Sequence, residues 1–86
     1  MAESNPSQRL EIENVTTSIL EIMVEIRPKR YLLNPGDKML IEAELNGVPF
    51  SVAVYEGGLQ IYAGNDVDPP VKINGVPVKP DWDTKI

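Results

Sequence analysis

The chain has 86 residues, of which 42% are hydrophobic and 24% charged, with a formal net charge of −5 and neither cysteine nor histidine. This length and composition predict one small globular domain, because enough apolar surface exists to offset the entropy of ordering. The negative charge disfavours nucleic acid and anionic membranes as partners, and the missing residue types exclude disulfides, thiolate metal sites and histidine catalysis.

Residues 1–8 carry proline, serine and charges without a periodic pattern, so we expect a disordered tail there and a single domain over residues 9–86. The start has no basic segment followed by an apolar one, and no run of about 18 apolar residues occurs. We therefore expect a cytoplasmic protein without a membrane anchor. The triplet Asn14-Val15-Thr16 matches the glycosylation pattern, which we attribute to chance in the absence of a secretory signal.

The first two predicted strands are residues 10–14 and 19–26. In the second, β-branched residues and an alternating apolar pattern favour a strand. A capping box formed by Ser18 and Glu21 leaves a short helix as the alternative. We expect the two strands to pair antiparallel across a loop at residues 16–18, because an odd loop length keeps their apolar residues on one face.

A turn and a hairpin follow. Pro35 presets the φ of the second turn position and Gly36 accepts the positive φ of the third, as in a type II turn. Further on, Asn46-Gly47 separates two apolar runs, residues 38–45 and 48–55, and favours a two-residue hairpin turn. The register of that hairpin gives four apolar pairs: Leu45–Val48, Ala43–Phe50, Ile41–Val52 and Met39–Val54.

The last third of the chain repeats this pattern. A turn at residues 56–58 leads into the strand 59–63 and completes a three-stranded meander. Asn74-Gly75 then joins residues 71–73 to 76–78 in a short hairpin, which we expect at the edge of a sheet. The whole pattern predicts an all-β fold, a small antiparallel β-sandwich of about six to eight short strands.

The order of these features resembles a known class of domains. Asn14-x-Thr16 lies near the end of a first strand, and Leu33-x-Pro35-Gly36 leads into a long strand. This pattern is similar to that of small immunoglobulin-like and cupredoxin-like β-sandwich domains, across about residues 10–55, and implies a Greek-key strand order. Blue-copper chemistry is excluded because its histidine and cysteine ligands are missing, and the immunoglobulin cysteine pair is absent too.

Few residues suggest chemistry. No phosphate-binding loop or nucleophile elbow occurs, so we expect neither enzymatic activity nor a cofactor. Asp66 and Asp68, in the loop at residues 64–70, carry oxygens that suit calcium, and a calcium-binding or small-ligand-binding domain is the alternative function. We expect the basic residues 27–31 to form a solvated loop and Trp82 to cover an open end of the sandwich.

One face of the predicted meander suggests a partner. Leu40, Tyr55 and Tyr62 lie opposite the core on that face, which is less polar than a solvated sheet needs. Tyrosine often anchors interfaces because it adds contact area at little entropic cost. We expect this face to bind a protein partner or a second copy, unless the N-terminal tail or the Trp82 segment covers it. The predicted function is a non-enzymatic protein-interaction or structural module.

Overall fold

The computed structural model describes residues 7–25, 27–44, 49–63 and 69–83. Within these ranges the chain forms nine strands and no helix. The strands are β1 (Ser7–Glu13), β2 (Leu20–Glu25), β3 (Lys29–Leu33), β4 (Lys38–Glu44), β5 (Ser51–Tyr55), β6 (Gly58–Tyr62), β7 (Val71–Ile73), β8 (Val76–Pro77) and β9 (Trp82–Asp83). The all-β prediction is confirmed.

The strands form two sheets. Sheet A has four strands in the order β1-β4-β7-β8, and sheet B has five in the order β5-β6-β2-β3-β9. Six of the seven strand pairs are antiparallel, and β2 pairs with β6 in parallel. The prediction of an antiparallel fold is therefore wrong at one pair. There the chain leaves sheet B after β3, passes through β4 in sheet A and returns, and such a long crossover allows parallel pairing.

Several local predictions are confirmed. The run at residues 19–26 contains the strand β2 rather than a helix. Gly36 has a φ of 87°, and the N–H of Asp37 donates to the carbonyl of Asn34 at 3.0 Å, as a type II turn requires. Asn74-Gly75 has φ angles of 54° and 82° and closes the β7–β8 hairpin at the edge of sheet A. These features depend on local backbone chemistry, so the sequence identifies them directly.

The expected partner of the first strand is wrong. Instead of pairing with residues 19–26, β1 pairs with β4, which places Leu10 opposite Ile41. The bend at residues 16–18 carries the chain from one sheet to the other. An alternating apolar strand fits any neighbour with the same alternation, so the pattern alone did not identify which strand it meets.

The expected Asn46-Gly47 hairpin register is wrong for the same reason. Residues 45–48 lie outside the described ranges, but the flanking strands are not partners, since β4 lies in sheet A and β5 in sheet B. Ile41 is buried between Leu10 and Val71, its partners on β1 and β7. The predicted partner of Ile41, Val52, lies opposite Ile61 on β6 and is 45% exposed.

A single apolar cluster joins the inner faces of both sheets. Strands β2, β3 and β6 of sheet B and β4 and β7 of sheet A supply it. Its buried members are Ile22, Val24, Tyr31, Leu33, Met39, Ile41, Ile61 and Val71. Strand β5 contributes no residue to this buried cluster, so it is held in place chiefly by its pairing with β6.

Asn14 is buried and connects four segments through its side chain and its backbone. Its Nδ2 donates to the carbonyls of Ser18 and Leu33, both at 2.8 Å. Its Oδ1 accepts from the backbone N–H and the hydroxyl of Thr16, at 2.9 and 2.7 Å. The backbone of Asn14 also bonds to the turn at residues 36–37. The Asn-x-Thr triplet therefore has a structural role, since both amide hydrogens, one of which a glycan would replace, are donated to backbone carbonyls of the fold.

Replacing Asn14 with alanine tests this connection. We expect Asn14→Ala to lower the free energy of unfolding by about 2 to 4 kcal/mol, because it removes the buried bond to the Leu33 carbonyl, the bond to the Ser18 carbonyl and the acceptor of the Thr16 amide. The neighbouring Val15 is 81% exposed, so Val15→Ala should change it by less than about 0.5 kcal/mol. Urea denaturation of both variants measures the difference. Equal midpoints for the two variants would contradict the role of Asn14.

Candidate functional site

The three residues predicted to share a patch lie on two different sheets. Leu40 is on β4 in sheet A, whereas Tyr55 and Tyr62 are on β5 and β6 in sheet B. The predicted patch is therefore wrong as a single surface, because β4 and β5 do not belong to one meander. Both tyrosines are partly exposed, at 38% and 41%, on the outer face of sheet B.

Leu40 lies instead in a shallow hollow on the outer face of sheet A. The hollow has a volume of about 240 Å³, and its lining includes Glu11, Lys38 and Lys72. The side chains around Leu40 carry both positive and negative charge, so the hollow does not favour a ligand of either sign. Exposed side chains of opposite sign on neighbouring strands are typical of a solvated sheet face.

A chain of polar contacts runs across the outer face of sheet B. The Tyr55 hydroxyl donates to Glu21 Oε1 at 2.9 Å, and Glu21 Oε2 lies 3.8 Å from Arg30 Nη1. Arg30 in turn binds Asp81 Oδ2 through Nη2 at 2.6 Å and Nε at 3.2 Å. Gly58 lies beneath these polar contacts, where a Cβ would collide with the Glu21 carbonyl and the Tyr55 hydroxyl. Glycine is therefore needed at this position for β6 to approach β2.

The edge strand β5 is the most exposed part of sheet B. All five of its residues, Ser51–Tyr55, are exposed, and they include no charge, proline or glycine. Val54 is 80% and Val52 45% exposed. The predicted hairpin had placed both valines in the buried layer, so their exposure is a finding of the structure. Among the described residues, β5 has a neighbour on one side only, which is β6.

The backbone of β5 presents hydrogen-bonding groups at this open side. The turn at Glu56-Gly57 has two residues and closes on the pair Tyr55–Gly58. In antiparallel strands, hydrogen-bonded and non-hydrogen-bonded pairs alternate, and a two-residue turn closes on a hydrogen-bonded pair. The N–H and C=O groups of Val52 and Val54 therefore point away from β6.

The other described sheet edges carry features that discourage pairing. Strand β1 has charged side chains at Arg9, Glu11 and Glu13. Strand β8 has two residues, one of which is Pro77, and β9 has two residues, one of which is Asp83. Charges, proline and short length all protect an edge from a further strand. Strand β5 has none of these features, which makes it the candidate binding site.

The calcium hypothesis concerns residues outside the described part of the chain. Asp66 and Asp68 both lie in the range 64–68, which the structure does not describe. Within the described ranges, no group of three or more acidic side chains is close enough to hold a metal ion. The calcium or small-ligand alternative stays a prediction.

Two other expectations are wrong. Trp82 does not cover an open end of the fold, because it is 48% exposed and pairs with Arg30 on β3. In the predicted basic loop, residues 27–31, only Arg27 and Pro28 form a turn. The rest belong to β3, where Lys29 is buried and its backbone pairs with that of β9. Side chains alternate between the two faces of β3, and Lys29 falls on the inner face, where its aliphatic part is buried.

Comparison with known proteins finds no relative of this chain. No protein-family model matches the chain, and no curated protein or solved structure is significantly similar to it. In the described ranges, no helix is present that is long and apolar enough to cross a membrane.

The contact between Tyr55 and Glu21 predicts that the Tyr55 phenol ionises only at unusually high pH. Desolvation of the Tyr55 phenol, its hydrogen bond to Glu21 and the Glu21 charge raise the pKa of Tyr55 from 10.0 to about 12. The folded chain thus keeps this proton to a higher pH than the unfolded chain does. The resulting stabilisation is fully present below pH 10.0 and is lost as the pH rises through about 12.

Replacing Glu21 tests this assignment. We expect Glu21→Gln to lower the pKa of Tyr55 towards its ordinary value, because the negative charge that opposes ionisation is removed. Nuclear magnetic resonance of the tyrosine rings as a function of pH measures each pKa separately. Glu11→Gln, on the outer face of sheet A, is the control and should leave Tyr55 unchanged. The same Tyr55 titration in both variants would contradict the assignment.

Proposed function

We propose that this protein is a non-enzymatic protein-binding module that captures an extended segment of a partner as a further strand on β5. The observation that supports the proposal is the exposed and uncharged edge at Ser51–Tyr55. In strand addition, backbone hydrogen bonds provide affinity and alternating side chains provide specificity. The outward-facing N–H and C=O groups of Val52 and Val54 suit the first role.

The side chains of β5 define what the added segment would contain. Val52 and Val54 lie on one side of the strand, so a partner with apolar residues at alternate positions gains burial against them. The outer side carries the small Ala53 between Ser51 and Tyr55. Because the whole chain has a net charge of −5, a segment with basic flanks is favoured over an acidic one.

The proposal extends to the fold family. We infer that the two sheets form a Greek-key sandwich of the immunoglobulin-like kind. Apolar residues from both sheets belong to one cluster. Neighbours along the chain pair in β2–β3, β5–β6 and β7–β8. Sandwiches leave edge strands open, whereas closed barrels do not.

Selection from a peptide library tests the proposed function. We expect a library of random linear peptides, panned against the protein, to yield sequences with apolar residues at alternate positions. Binding should be lost in Val54→Lys, because a lysine on an edge strand opposes pairing. The Val54 side chain is 80% exposed, so lysine is accommodated without loss of the fold. Fluorescence anisotropy with the selected peptides measures the loss.

The matched control is Val15→Lys. Val15 is 81% exposed but lies in the loop after β1, so its lysine adds the same charge away from the edge and should leave binding intact. Bound peptide should also slow amide hydrogen exchange at Val52 and Val54. Peptides that bind Val54→Lys as well as the unaltered protein, or that protect β1 or β8 instead, would contradict the proposal.

A further inference from the structure

The sequence of β5 is almost the same in both directions. From Ala53 outwards, each side has a valine and then a residue with a hydroxyl group, Ser51 on one side and Tyr55 on the other. Two copies of such a strand can pair antiparallel about a twofold axis, as symmetric dimers require. We infer that β5 binds β5 of a second copy of this chain, with the axis at Ala53. This inference rests on the proposed function and names the partner.

The backbone selects this register. An axis at Ala53 places Val52 opposite Val54 of the second copy, and both have N–H and C=O groups that point away from β6. The two symmetry-related pairs exchange about four hydrogen bonds, two for each pair. An axis at Val52 would place Val54 opposite Phe50, whose N–H already donates to Gln8 Oε1 at 3.0 Å. An axis at Val54 would place Val52 opposite Glu56, in the turn.

The side chains agree with the same register. On the inner side of sheet B, each exposed valine meets a valine of the second copy, and both lose water-accessible apolar surface. On the outer side, Ser51 lies opposite Tyr55 of the second copy. The residue on the axis is Ala53, which is small enough for the two strands to approach at the ordinary spacing. Sheet B would continue through the axis as ten strands, five from each copy.

The charges of the two copies do not meet at this axis. Each chain has a net charge of −5, but β5 itself has no carboxylate or ammonium group. The nearest acid along the chain, Glu56, follows the strand, and the two Glu56 residues lie six positions apart, which is about 20 Å at the rise of a β-strand. That distance exceeds the screening length of about 8 Å at physiological salt. The net charges of the two chains still repel each other as a whole, so added salt should strengthen association by screening that repulsion.

The contact is small, so the dimer is weak and reversible. Strands of five residues bury less than the roughly 800 Å² per partner of a standard interface. We expect the average mass to rise with concentration from 9.5 kDa towards twice that value. Val54→Lys should keep the monomer mass throughout, and Val15→Lys should behave like the unaltered protein. Analytical ultracentrifugation over a wide concentration range measures this, and thermal unfolding verifies that each variant is folded.

Cysteine cross-linking tests the register, because the chain has no cysteine of its own. The axis places the two Ala53 residues in a non-hydrogen-bonded pair, with Cα atoms about 4.5 Å apart. A disulfide accepts Cα separations of about 4.4 to 6.8 Å, so Ala53→Cys should oxidise to a covalent dimer. The control is Ser51→Cys in the same strand, whose two copies lie four positions, or about 14 Å, apart. It should remain monomeric under the same oxidation.

The outcomes separate this inference from the proposed function. A mass of 9.5 kDa at every concentration, or equal cross-linking of Ala53→Cys and Ser51→Cys, overturns the symmetric dimer. If selected peptides still bind at β5 in that case, the proposed strand addition stands without it. If peptides also fail to bind, both are overturned. Concentration-dependent mass that Val54→Lys abolishes, together with cross-linking of Ala53→Cys alone, supports the dimer.

Discussion

The buried amide of Asn14 is the interaction on which the rest of the structure depends. An uncompensated amide inside a protein is costly, so this side chain requires its four hydrogen bonds at once. Meeting that requirement joins the end of β1 to the bend at residues 16–18 and to the end of β3, and the backbone of Asn14 adds the turn before β4. This junction holds two of the points at which the chain passes between sheets A and B, the one before β2 and the one before β4.

The sequence predicts the strands and turns of this fold better than it predicts their partners. Turns at Gly36 and at Asn74-Gly75 were identified because positive φ angles restrict the residue type. Alternation also identified β2 as a strand. The partners of β1 and β4 were wrong, since an apolar face is compatible with any apolar neighbour. The assignment of strands to sheets depends on contacts between distant residues, such as those of Asn14, which have no periodic signal.

The candidate site shows the same limit. Tyr55 and Tyr62 were predicted on an exposed face and are found on one, whereas Leu40 belongs to the other sheet. Val52 and Val54 were assigned to the core because the predicted Asn46-Gly47 register placed them opposite Ile41 and Met39. What distinguishes these valines in the sequence is an absence, since β5 has none of the charges or prolines found in β1 and β8. Such a signal has meaning only when the strand is known to lie at an edge.

The parallel pairing of β2 with β6 has a consequence for how the chain folds. Glu21 on β2 lies opposite Gly58 on β6, so sheet B closes only after a long stretch of chain has been ordered. Folds that depend on contacts between distant segments pay their loop-closure entropy early and form slowly. The β5–β6 hairpin is local and can form first. A newly made chain therefore presents the uncharged strand β5 before its core is complete, and the rate of closing β2 onto β6 determines how long that strand is open to other chains.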